Sequence, residues 1–119
     1  MPHLIVEYSN NLTGLPQAQL LQELNQAVAS SPEVLNETDL KTRLLAVEHF
    51  EIGTAPTARA FVHAQLRLLS GRTPEVKKDL AARIAAVLRR LTPKPEGVMV
   101  QLSVELVDMD RGSYVKERL

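Results

Sequence analysis

The sequence predicts an α+β fold: a single four-stranded mixed sheet built from duplicated βαβ units, with two helices on one face. Three observations predict it. Apolar residues alternate with polar ones over two long segments, they recur at helical spacing over two others, and the order strand–helix–strand is written twice. Each strand pair joined by a helix then lies parallel with a right-handed crossover, which sends both helices to the same side.

The elements follow in order. His3 to Tyr8 is rich in β-branched and apolar residues and reads as the first strand. Pro16 to Ala29 places Leu20, Leu21, Leu24, Ala27 and Val28 on one stripe, and Pro16 suits a first helical turn. Ser31 to Leu40 is a connection, and Arg43 to Glu51 reads as the second strand. Gly53-Thr54-Ala55-Pro56-Thr57 is the richest turn chemistry in the chain and divides it into repeats of about 1–55 and 56–119. Ala60 to Leu69 alternates, with Val62, Ala64, Leu66 and Leu68 on one face and Phe61, His63, Gln65 and Arg67 on the other. Thr73 caps a helix that Pro74 starts and Glu75 supports, and Thr92-Pro93-Lys94-Pro95 stops it after Leu91. Val98, Val100, Leu102, Val104 and Leu106 alternate in the last strand, and the final dozen residues are polar and irregular.

Composition narrows the functions available. At 119 residues the chain is one domain, and 45% hydrophobic residues suffice for a core. Fourteen Lys plus Arg balance fourteen Asp plus Glu, so the field of a nucleic-acid or anionic-membrane binder is missing. Four aromatic residues, Tyr8, Phe50, Phe61 and Tyr114, are too few for a base-stacking platform. Without Cys there is no thiolate chemistry and no sulfur-ligated metal. No apolar run reaches membrane-spanning length and the N-terminus has no signal-peptide pattern, so the expectation is a cytoplasmic protein.

Three groups of residues carry candidate chemistry. Pro2 follows the initiator Met, whose removal would leave a secondary amine at the start of a strand. Held against apolar residues and near cations, such an amine loses affinity for its proton and becomes a general base. Arg72 precedes the cap of the second helix, where a bound carboxylate or phosphate would relieve an unfavourable cation; a solvated loop arginine is the alternative. Lys41 and Arg43 share a strand face and offer a carboxylate clamp, or else a charged edge that discourages aggregation. His3, His49 and His63 have no metal-ligand spacing, and no nucleophile elbow or phosphate-binding loop is present.

Met1-Pro2-His3-Leu4-Ile5-Val6-Glu7-Tyr8-Ser9, with Phe61-Val62-His63 and Gly71-Arg72, resembles the 5-carboxymethyl-2-hydroxymuconate delta-isomerases of the tautomerase superfamily. The resemblance covers nearly the whole chain. It implies a tautomerase-like single domain assembled as a homotrimer, and a cofactor-independent keto-enol tautomerase acting on a dicarboxylate or tricarboxylate. It makes Pro2 the base and Arg72 a carboxylate ligand. Lys41 falls where the family pattern has an arginine, and Arg43 matches a second basic position. Lysine keeps the charge and loses the planar fork. A more distant likeness to the macrophage migration inhibitory factor group keeps a second reading open, a trimeric interaction protein with a vestigial pocket.

Overall fold

The computed structural model describes residues 1–119 and contains β1 (His3–Ser9), α1 (Gln17–Ala29), β2 (Lys41–Val47), β3 (Arg59–Leu69), α2 (Pro74–Leu91) and β4 (Met99–Met109). Short 3-10 turns occupy Glu37–Asp39 and Arg111–Ser113. The sheet order is β2-β1-β3-β4, with β1 parallel to β2, β3 parallel to β4, and β1 antiparallel to β3 at the centre. The mixed sheet is as the sequence predicts.

The pleat explains which residues are inside. Leu4 and Val6 on β1 and Val62, Ala64 and Leu66 on β3 are fully buried beneath Leu20, Leu24 and Val28 of α1 and Leu80, Ile84 and Leu88 of α2. One apolar cluster holds them all, so both helices cover the same face. The alternate residues, among them His3, Ile5, His63 and Gln65, point to the helix-free face and are only partly covered.

Helix starts differ in kind. Thr73 accepts from the Val76 amide at 3.2 Å, and Pro74 fills the first turn, as its sequence requires. Pro16 instead sits at the cap position of α1, outside the first turn, and its carbonyl accepts from Leu20. β2 runs from Lys41 to Val47 rather than from Arg43 to Glu51. Its only partner explains the shift. As an edge strand it is paired where β1 exists, from the Lys41 amide bonded to the Pro2 carbonyl up to the Val47 carbonyl that accepts from Asn10.

Candidate active site

The start of β1 is where loops from two elements meet. Antiparallel pairing sets His3 opposite Arg67, so β3 ends beside the N-terminus and the β3–α2 loop brings Arg72 there. The segment after α1 arrives from the other side. A cavity of about 100 Å³ results, lined by Pro2, Arg72, Glu33, Asn36, Asp39 and Met1 among others. Pro2 is buried, and the Lys41 amide holds its carbonyl at 3.1 Å.

Arg72 is oriented from two directions. Its Nε donates to Glu33 Oε1 at 3.2 Å and its Nη1 donates to the Leu69 carbonyl at 2.7 Å, with only 18% of the side chain exposed. Three of the five guanidinium N–H groups stay without a protein acceptor. Glu33 is a residue the sequence reading missed, because nothing in Ser31 to Leu40 marks it from other connecting residues.

Asp39 is the second omission. Its carbonyl accepts from both the Met1 amine, at 3.3 Å, and Lys41 Nζ, while its carboxylate pairs with Lys116 and lies 3.7 Å from the same amine. Lys41 therefore reaches the N-terminus at the rim of the cavity rather than in its wall. Burial first, and then the Lys41 charge, hold the amine at Met1 below its ordinary pKa, with Asp39 working against them. The Lys116 contact in turn holds the Asp39 carboxyl below the usual carboxylate value.

Arg43 goes elsewhere. It shares a strand face with Lys41, as expected, yet its Nη1 donates to His3 Nδ1 at 3.2 Å on the helix-free side. A guanidinium can only donate, so His3 carries its proton on Nε2, which donates to the Tyr114 hydroxyl at 3.0 Å. Burial, followed by Lys41 and Arg43, keeps the His3 pKa below its ordinary value. The structure thus brings Pro2 and Arg72 into one cavity and Lys41 to its rim, and it separates Arg43 from them. Of the pair expected to act as a clamp, Lys41 donates to the Asp39 carbonyl and Arg43 to His3. No group of three His, Asp or Glu side chains is arranged to hold a metal, and no helix is long and apolar enough to cross a membrane.

The family model for 5-carboxymethyl-2-hydroxymuconate isomerase matches residues 2–118. The chain belongs to that family. No curated protein matches it in sequence. Among solved structures, a 5-carboxymethyl-2-hydroxymuconate isomerase from Deinococcus radiodurans R1 is similar at 26% identity and a TM-score of 0.84, over 99% of this chain and 90% of that one. A 5-carboxymethyl-2-hydroxymuconate delta-isomerase is similar at 21% identity and a TM-score of 0.80, over 100% and 88%. A fused 4-OT described as a wild-type symmetric trimer shares the fold at 24% identity and a TM-score of 0.67, over 98% and 94%. Family membership makes this chain an isomerase of the tautomerase type, on the fold the sequence predicts.

Proposed function

We propose that the chain moves a proton along a carboxylated 2-hydroxydienoate of the 5-carboxymethyl-2-hydroxymuconate type, in aromatic-compound degradation of the homoprotocatechuate kind, without metal or organic cofactor. The observation that carries this is the burial of Pro2 in one cavity with Arg72. Once Met1 is removed, the Pro2 nitrogen is a secondary amine. Neutral, it takes the proton from the 2-hydroxyl or an allylic carbon, leaving a dienolate. The prolinium then returns that proton further along the conjugated chain, so composition is unchanged and only the double bonds move.

The cations hold the negative charge. Arg72 binds a substrate carboxylate through the N–H groups that Glu33 and Leu69 leave free, and Lys41 at the rim lowers the proton affinity of the amine. Charge fixed in place before reaction is the kind of stabilisation that contributes most to such steps. Arg43 holds His3 and acts on the substrate only through its field. The 119 residues act as one cytoplasmic domain within a homotrimer, which the trimeric 4-OT relative supports. The partner is a small dicarboxylate or tricarboxylate, and neither nucleic acid nor a membrane is bound.

One feature favours a second reading, a trimeric binding protein with little turnover: Glu33 already occupies part of Arg72. Turnover of 5-carboxymethyl-2-hydroxymuconate by Met1-free protein separates the two. An isomerase converts it, and Pro2→Ala lowers kcat at least ~10²-fold, the contribution of one positioned base. Equal turnover in Pro2→Ala removes the role given to Pro2, and no turnover by the parent protein leaves the binding reading.

A further inference from the structure

The Asp39 carboxylate stands between two cations that reach it from opposite ends of the chain. Its Oδ2 lies 3.7 Å from the Met1 amine, outside hydrogen-bond distance, while its Oδ1 is engaged by Lys116. The backbone leaves it little freedom to move away. Asn36 caps the 3-10 turn by accepting from the Thr38 amide at 3.1 Å, and the Asp39 carbonyl accepts from the amine and from Lys41 Nζ. Asp39 also lines the Pro2 cavity. Once Met1 is removed the amine begins at Pro2, roughly 3 Å along the backbone, so the same carboxylate remains its near neighbour.

The other charges around the amine are already committed. Glu33 and Arg72 in the cavity wall pair with each other, Lys41 at the start of β2 donates to the Asp39 carbonyl, and His3 turns to Arg43 and Tyr114. Asp39 is thus the carboxylate that reaches the amine. Left to itself it would pair with the amine and raise its proton affinity, which disables a base. Burial, Lys41 and Lys116 work the other way. Lys116 is brought there by the tail: Tyr114 is bonded to His3, and Val115 beside it is exposed, so apolar packing does not hold Lys116 in place. The Lys116 and Asp39 side chains are 29% and 21% exposed, sheltered enough for the pair to escape most screening.

We propose, on the reading of Pro2 as the isomerase base, that Lys116 is a positioning residue for that base: by engaging the Asp39 carboxylate it keeps Asp39 from pairing with the Pro2 amine, so the amine stays free to take a proton. Lys116 touches no substrate in this role and acts through Asp39. Loss of the tail's cation turns Asp39 into a counter-ion for the amine, which then stays protonated to higher pH. Without Asp39 the ammonium has nothing to engage, and its loss changes little.

Nitrogen NMR of proline-labelled protein, its intact mass showing Met1 removed and the rest of the chain complete, titrates the Pro2 amine directly. Lys116 lies outside every helix and strand, so its variants keep the fold. Lys116→Ala raises the pKa of the amine by at least about half a pH unit, a modest share of what two charges a few ångströms apart exert on each other. The acidic limb of the pH–rate profile moves up with it. Lys116→Arg, which keeps the charge and the reach, stays at the parent value, and Lys116→Ala made in an Asp39→Asn background moves the amine less than half as far. An unmoved amine in Lys116→Ala overturns the proposal, as does the same rise with Asp39 replaced, or a Lys116→Arg that behaves as Lys116→Ala. The titration needs no substrate. An absence of turnover therefore counts against the isomerase reading alone, whereas an amine that ignores Lys116 in an active enzyme counts against the role of Lys116 alone.

Discussion

A proline nitrogen is a base only as an amine, so the bond between Met1 and Pro2 governs the chemistry assigned to this residue. Around it the cations have unequal standing. Arg72 lines the cavity and keeps N–H groups free, whereas Lys41 is outside its lining and donates to the Asp39 carbonyl. Arg72→Ala should therefore raise the KM for a carboxylated substrate far more than Lys41→Ala, in steady-state kinetics on the two variants; the reverse order would transfer carboxylate binding to Lys41. Pro2 and Arg72 were legible in the sequence because a second-position proline and a Gly-Arg before a helix cap are local signals. Glu33 and Asp39 were not. Their importance comes from what the fold brings to them, and a lone acid in a connection carries no mark of that.

At the scale of elements, the segment after β4 is tied down at three points across the Pro2 end of the sheet. Arg111 Nε donates to the Ser70 carbonyl at 2.6 Å, Tyr114 accepts from His3, and Lys116 pairs with Asp39. Two of these ties depend on groups that titrate: His3, whose protonation at Nδ1 would set it against the Arg43 guanidinium that holds the ring, and Asp39, whose carboxylate pairs with Lys116. His3 has a lower pKa folded than unfolded, so the unfolded chain binds more protons between the two values. Its contribution is full above about 6.5 and is lost as pH falls from there to the folded value. Asp39, also depressed, contributes above its unfolded pKa and loses that contribution as pH falls further, through its folded value. Limited proteolysis against pH should show the tail loosening first in the His3 window, and His3→Gln should abolish that step. An unchanged profile in His3→Gln would remove His3 from the tie. Elsewhere the sequence was a good guide to elements, since caps are local: Thr73→Ala should cost about 1 kcal/mol in chemical denaturation, and a cost near zero would deny the cap its role. The bounds of β2 were harder to read because an edge strand ends where its one neighbour ends, which no property of Glu48 to Glu51 reveals.

At the scale of the whole molecule, one face of the sheet is sealed by helices and the other is not. The uncovered face mixes apolar Ile5, Leu45, Phe61, Met99 and Val107 with a cross-strand network in which His63 bonds Ser103 and Glu105, each at 2.6 Å. Such a surface on an α+β sheet calls for a partner. Sedimentation equilibrium should return a trimer, and Met99→Glu, at a half-exposed position, should shift it toward monomer without changing the circular dichroism of the fold. A monomer in the parent protein would contradict the assembly. The fold class was readable because alternation and helical spacing are properties of the chain itself. The most direct test of the isomerase reading is the pH–rate profile for 5-carboxymethyl-2-hydroxymuconate, run on protein whose intact mass shows Met1 removed and on protein that retains it. A working Pro2 base predicts turnover in the first sample alone, with an acidic limb well below the pKa of a free secondary amine. Equal turnover in both samples, or the same acidic limb in Pro2→Ala, would contradict it.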